Sequence, residues 1–333
     1  MKPILFLIFN RFDQTKLVFD EIRKYKPSQF FIAADGPREN KKETEICNEI
    51  RNYVLDNIDW QCEIHTLFRE ENLGCGKAVS SSISWFFDYV EDGIILEDDC
   101  LPSKHFFVFC EQMLELYKSD YTVMHISGFN YFGDKLKLKN NHFLSNLPSI
   151  WGWATWKRAW INYDYDLNFI NEENIDFFLS DFVSNDYNQR EFWNGKYRLI
   201  LNNQISTWDI QWLFSIWNKN GLCVFPNKNL IKNIGFTEDA LHTTNLLSPF
   251  SKLEASTISL KPKKNKIRSN KKLTDFIFYF AHFEVFDLKL NDVKKLKLRL
   301  DKSLLSKLKS KKFTFRDKIH LIKEYIIKWT GLK

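Results

Sequence analysis

The chain is poor in several things that would each have announced a class of protein. Its six cysteines, at 47, 62, 75, 100, 110 and 223, include no C-x-x-C pair. Neither a zinc framework nor a secreted disulfide scaffold has that spacing, so reduced thiols in a cytoplasmic setting are expected. Glycine and proline number 11 and 8 in 333 residues, which excludes collagen-like and low-complexity chains. Long apolar runs are missing as well. Pro3–Phe9 stops at Asn10 and Arg11, far short of the roughly 18–20 residues that cross a bilayer, and no small-residue cleavage site follows it. The Gly74-Cys75-Gly76-Lys77 segment continues with Ala78, where a Walker-type phosphate loop needs Ser or Thr, so a kinase or ATPase reading fails.

What is present is a globular composition: 44% hydrophobic, 27% charged and 16% aromatic, enough for a full core in two domains, or in one large domain with an appendage. Charge divides the chain. Residues 1–250 carry a net −9 and residues 251–333 a net +15. An acidic body with a basic end is the pattern of a protein that meets an anionic surface at one end.

In the body, apolar runs alternate with helical stretches. Ile4–Phe9 precedes a helix over Gln14–Tyr25; Phe30–Ala34 ends at Asp35-Gly36-Pro37; Cys62–Phe68 leads to Asn72-Leu73-Gly74; Gly93–Leu96 ends at Glu97-Asp98-Asp99. Nearly all-apolar strands alternating with helices predict an α/β fold, a mostly parallel sheet with helices on both faces. Ligands in such sheets sit beyond the carboxyl ends of the strands. That rule selects Asn10, Arg11, Asp35, Gly36, the Asn72–Lys77 loop and Glu97-Asp98-Asp99.

Three consecutive carboxylates repel one another unless a cation or strong donors gather there, and hard oxygen ligands suit Mg²⁺ or Mn²⁺ bridging to phosphate. An acidic turn leaving a strand is the plainer alternative. Gly74 and Gly76 would let backbone N–H groups approach a phosphate or ribose, with Lys77 adding positive charge or standing solvated. Trp151-Gly152-Trp153-Ala154-Thr155-Trp156 offers flat faces to a sugar, although core packing is expected to claim most of these rings. Ser206-Thr207-Trp208-Asp209 opens a helix with Thr207 or Asp209 available as its cap, and Asp209 is otherwise a candidate general base. Glu238-Asp239 is a second candidate for the base, and His242 could bind metal or diphosphate or be a surface residue.

In this order, Phe9-Asn10-Arg11, Ala34-Asp35-Gly36, Asn72-Leu73-Gly74 and Ile95-Leu96-Glu97-Asp98-Asp99 resemble the GT-A (Rossmann-like) nucleotide-sugar glycosyltransferases. The likeness is strongest to inverting enzymes of the N-acetylglucosaminyltransferase I type and to bacterial relatives that build surface polysaccharides, and it spans residues 1 to about 245. The resemblance implies that Arg11 and Asp35 lie near the uracil, that Glu97 and Asp98 contact the uridine, and that Asp99, with His242, binds Mn²⁺ or Mg²⁺. Asn10, Gly36, Asn72, Gly74 and Lys77 complete the nucleotide-sugar set. Gly152, Trp153, Trp208, Glu238 and Asp239 border the transferred sugar or acceptor, and Asp209 is the base. It further implies a UDP-sugar donor, a glycan or lipid-linked acceptor of surface polysaccharide or lipopolysaccharide synthesis, and a catalytic domain over 1–250, with a nucleotide half to about 130 and an acceptor half after it.

The basic end, 251–333, reads as a linker followed by a helix over Thr314–Thr330 with Phe315, Ile319, Ile322, Ile326 and Trp329 on one face. That face either packs on the body or lies on an anionic membrane, the latter making the chain peripheral on the cytoplasmic side. Nucleic-acid binding is not expected, because these aromatics follow a helix stripe rather than a stacking platform. The rival readings are a noncatalytic assembly or binding protein with the same fold, and a sugar-nucleotide pyrophosphorylase. The latter would carry a Gly-rich signature near the N-terminus, where residues 1–12 contain no Gly.

Overall fold

A computed structural model of the chain describes residues 1–38, 41–133, 138, 140–183, 187–236, 248–259, 274, 275, 277, 278 and 281. Glu238, Asp239, His242 and the Thr314–Thr330 stretch lie outside them. The chain divides into two units, Met1–Phe169 with Asn203–Ser269, and Ile170–Asn202 with Asn270–Lys333.

The first unit begins with β1 (Ile4–Ile8), α1 (Phe12–Tyr25), β2 (Gln29–Ala34), α2 (Lys41–Asp56), β3 (Glu63–Phe68), α3 (Gly74–Tyr89) and β4 (Asp92–Glu97). It continues with β5 (Cys100–Pro102), α4 (Lys104–Leu116), β6 (Val123–Ser127), β7 (His142–Ser145), β8 (Trp153–Trp156) and α5 (Lys157–Trp160). In the second unit, α6 (Ile175–Val183) and α7 (Tyr187–Leu201) pack on each other, joined by the Asn194 carboxamide donating to Asp176 at 3.0 Å. The first unit resumes with α8 (Asp209–Asn218), β9 (Leu222–Pro226) and β10 (Ile231–Asn233).

Eight strands form one sheet in the order β3-β2-β1-β4-β8-β6-β9-β7. β3, β2, β1 and β4 are mutually parallel, so the expected α/β architecture with a mostly parallel sheet holds. All five residues of β1 and the last five of β2 are buried, as strands covered on both faces must be. α1 packs beside α2 and α4, and α3 beside α5. β1 neighbours both β2 and β4, so the strand order reverses between β1 and β4, and the crevice at their carboxyl ends is the switch point where ligands sit in open α/β sheets.

One strand differs from expectation. β3 is the sheet's edge, and none of its six residues is buried, so the expected near-continuous apolar strand is half solvated here. For Trp153–Trp156 the expected core packing holds for the segment as a whole. It is β8, fully buried and antiparallel to β4, with Trp153 opposite Ile95.

Candidate functional site

The β1–α1 connection delivers Arg11 to the switch-point crevice. Its guanidinium donates to Asp99 Oδ2 at 2.7 Å and stands 3.8 Å from Asp98 Oδ1. Burial lowers its pKa, but Asp98 and Asp99 more than compensate and raise it on balance. One cation does not balance the three acids of the β4 end. Burial, then Asp99, then the opposing pull of Arg11 and of the Phe9 N–H leave Asp98 raised to about 7. Glu97 is raised well above the usual range by burial and by Asp99, Asp98 and Asp209. Among the described residues the other Asp99 oxygen, Oδ1, receives only the Cys100 thiol at 3.5 Å. Asp99 itself is clasped by the chain before residue 236. Its carbonyl accepts the Ile234 N–H at 2.8 Å, and a methyl on Gly235 would fall 2.1 Å from Oδ2, so no side chain fits there.

Asp209 opens α8 next to this cluster. No side-chain hydrogen bond caps α8; instead Asp209 Oδ1 accepts the Thr207 hydroxyl. The 206–209 segment is fastened to the start of α3, where the Gly76 N–H donates to Ser206 Oγ at 3.2 Å and a methyl on Gly76 would lie 2.8 Å from the Thr207 carbonyl. Cys75, one residue earlier, reports the convergence. Burial, then Glu97, Asp209, Asp35 and Asp99, push its thiol up to about 12.

Several residues singled out from the sequence are placed differently. Asp35 holds the N-terminus of α3, its carboxylate accepting the N–H groups of Gly36, Leu73 and Gly74 at 3.0 Å each. The N–H groups of Gly74 and Gly76 are therefore filled by Asp35 and Ser206, and the expected phosphate cradle is occupied by the protein's own groups. Asn72 is exposed, with its carboxamide donating to the Gly36 carbonyl at 2.6 Å. Lys77 is exposed on the first turn of α3. Asn10 donates to Glu43 Oε1 at 2.8 Å, and Glu43 also clamps Arg38, whose pull lowers the carboxyl's pKa. Trp153 and Trp208 are 0% and 2% exposed and stack on each other at 5.6 Å, so neither ring keeps a face for a sugar. Gly152, at φ +62°, gives its carbonyl to the Gly128 N–H at 2.7 Å.

Gly235 and the Arg38–Glu43 pair carried no signal in the sequence, whereas Cys75 lies in the Asn72–Lys77 loop selected there and Thr207, a candidate cap, instead donates its hydroxyl to Asp209.

Among the described residues no group of three or more His, Cys, Asp and Glu side chains is arranged to hold a metal ion by itself. The acids at the β4 end nonetheless suit a hard divalent cation, because all their donors are oxygen, three carboxyls face the one guanidinium of Arg11, and among the described residues Asp99 Oδ1 has only a thiol as partner. Mg²⁺-type sites commonly use one or two carboxylates and leave the rest to water and substrate phosphates.

No family model matches the sequence, and no curated protein matches it. Among solved structures, HddC from Yersinia pseudotuberculosis is 10% identical with a TM-score of 0.26, covering 34% of this chain and 55% of its own. The chain thus spans little more than half of HddC's length. An apo UDP-glucose pyrophosphorylase and one complexed with UDP-glucose are 9% and 11% identical, each over 70% of this chain and over 93% and 94% of theirs, with TM-scores of 0.34 and 0.36. Superpositions this loose say nothing about the site, which stands on its own geometry.

Proposed function

We propose that the chain is a glycosyltransferase that moves a sugar, with inversion, from a nucleoside diphosphate donor to a hydroxyl of a glycan or lipid-linked acceptor. The observation that carries the reading is the shared neighbourhood of Asp209 and the β4 acids: both act on Glu97 and on the Cys75 thiol. An excess of buried negative charge at a switch point is what a cation-borne diphosphate would relieve, and a separate carboxylate close by is what a hydroxyl nucleophile requires.

In this reading Asp99, with Asp98, holds Mn²⁺ or Mg²⁺, which when bound neutralises charge on the departing diphosphate. Arg11 fixes the Asp99 carboxylate and adds a positive charge beside the same group. Asp209 takes the proton from the acceptor hydroxyl as it attacks the anomeric carbon. The Thr207 hydroxyl occupies Oδ1, so Oδ2 is the oxygen that receives it. UDP is the preferred nucleotide. The net +15 of residues 251–333 would dock the chain on an anionic membrane carrying a lipid-linked acceptor; failure to float with anionic liposomes at low salt would count against that part.

The test is a thermal-shift screen of nucleotide sugars with and without Mn²⁺, repeated on Asp99→Ala and Asp209→Asn, together with an assay of the released product. Expected are metal-dependent stabilisation that Asp99→Ala loses, and release of nucleoside diphosphate that Asp209→Asn loses while it still binds the donor. Binding indifferent to metal, or release of pyrophosphate from a nucleoside triphosphate and a sugar phosphate, overturns the reading.

A further inference from the structure

The eight-stranded sheet has one closed edge and one open edge. At the closed edge all four residues of β7 are buried, whereas at the other none of the six residues of β3 is. Among the described residues β3 pairs only with β2. The Glu63 N–H donates to the Ser28 carbonyl at 2.9 Å and the Arg69 N–H to the Ala34 carbonyl at 3.0 Å. Between these ends the parallel register runs unbroken from Gln29 opposite Glu63 to Ala34 opposite Phe68. Peptide groups along a strand alternate sides, so residues 63, 65, 67 and 69 address β2, while the N–H and C=O groups of Ile64, Thr66 and Phe68 point outward. Such a row of unpaired groups is a template for another strand.

We propose that this edge pairs antiparallel with the same edge of a second copy of the chain, about a two-fold axis passing at Thr66. Centring on Thr66 sets Thr66 opposite Thr66, Ile64 opposite Phe68, His65 opposite Leu67 and Glu63 opposite Arg69, each of the last three twice. All the outward peptide groups of Ile64, Thr66 and Phe68 are then used. A centre at His65 would set Glu63 against Leu67, and one at Leu67 would set His65 against Arg69, so of these three registers the Thr66 one matches opposite charges. Threonine pairs, aromatic–β-branched pairs and opposite charges are the cross-strand combinations that stabilise antiparallel sheets.

The side chains fit this register. Ile64 is 45% exposed, and the Glu63 side chain is 58% exposed, although its carboxylate already meets His65 Nε2 and the Gln29 carboxamide at 2.8 Å each. The Arg69 guanidinium donates to the hydroxyls of Ser82 and Ser81 at 3.0 and 2.9 Å and forms no ion pair among the described residues. Burial pulls its pKa down, with Asp35 countering only in part, so a carboxylate brought beside it would be welcome. Joining two such edges makes one continuous sheet through both copies and removes the open edge of each.

Sedimentation equilibrium of the full chain over a range of concentrations tests the pairing. The wild type should dimerise. Thr66→Pro deletes the outward N–H on the axis, a change an edge strand tolerates when that N–H faces solvent, and should weaken the dimer by about tenfold or more while leaving circular dichroism unchanged. Glu63→Arg and Arg69→Glu should each weaken self-association. Mixed together, the two single variants should form a heterodimer, and the double variant should regain the homodimer. That exchange decides the matter even if Thr66→Pro fails to fold. A wild type that stays monomeric throughout, or a dimer indifferent to all these changes, overturns the proposal.

Discussion

The carboxyl end of β4 and the aromatic plate behind it both bury titratable groups, and they treat them in opposite ways. In the plate His125 is fully enclosed: its Nε2–H donates to the Ser149 carbonyl at 3.0 Å and its Nδ1 accepts the Trp212 indole N–H at 3.2 Å. Trp153 stacks on its ring at 4.9 Å and on the Trp208 ring at 5.6 Å. Burial takes the imidazole down to about 3, so it is neutral, and both ring nitrogens are used. The loose ends there, such as the Trp153 indole N–H, are uncharged dipoles. At the β4 end the loose ends are ionisable: burial and mutual repulsion raise Glu97 and Asp98, and among the described residues Asp99 has a strong donor on one oxygen only. A fold can keep a small number of idle dipoles cheaply, but unbalanced buried carboxylates are costly enough to imply a ligand that relieves them.

If the plate is purely structural, breaking it should cost the most. Trp153→Ala removes the ring that stacks on both His125 and Trp208, and the expected loss is about 4 kcal/mol, read as a lower urea midpoint. His125→Phe keeps the stack but orphans the Trp212 N–H and the Ser149 carbonyl, for a loss of about 2 kcal/mol near neutral pH. Its pH dependence is informative. The folded imidazole titrates near 3 and the unfolded one near ~6.5, so above that range both are neutral and nothing is lost. As pH falls through it, from about 6.5 toward about 3, the unfolded chain takes up a proton that the folded chain refuses, and wild-type stability declines. His125→Phe should flatten that decline; an unchanged acid slope would mean that the imidazole is not held neutral as its partners indicate.

How much of this contrast could be read from residues alone depended on how local each signal was. β1, β2 and β4 were legible because strands covered on both faces are apolar throughout, and the polar residues that follow them had to sit at the carboxyl edge. β8 was not, because Trp153-Ala154-Thr155-Trp156 fits a sugar-binding loop as well as a central strand, and only its pairing with β4 separates the two. Asp35 looked like a ligand contact, but its partners, the Leu73 and Gly74 N–H groups, lie almost forty residues away and no local pattern links them. Glu43 is one acid among several in a charged helix, and nothing in its spacing marks it as the group that holds both Asn10 and Arg38. That Asp209 and Glu97 act on each other depends on α3 bringing Gly76 against Thr207, a tertiary contact with no periodicity.

At the β4 end a substitution should act in the opposite direction. Asp98 is held near 7 in the folded chain, against an ordinary value of about 4. A raised carboxyl costs nothing below its unfolded pKa; the penalty grows as pH climbs toward the folded pKa and is complete above it. Asp98→Asn should therefore stabilise the ligand-free chain by about 2 kcal/mol at pH 8 and hardly at all near pH 4. Paired denaturation curves at the two pH values check this. A destabilised variant at pH 8 would show that Arg11 already balances the cluster and that the contrast with the plate is false.

The smallest expected effect separates the regions most cleanly. Saturating Mn²⁺ at about ten times its dissociation constant should raise stability by only ~1.4 kcal/mol. The increment should be larger at pH 8 than at pH 5, because protons compete with the metal for the raised carboxyls. Chelation should reverse it. Asp99→Ala should abolish it, whereas His125→Phe, although less stable to begin with, should keep it in full, since nothing in the plate carries the charge that attracts a cation. An equal Mn²⁺ increment in Asp99→Ala would place the metal elsewhere on this acidic body, and the carboxylates of β4 would then need another counter-ion to explain why the fold keeps them together.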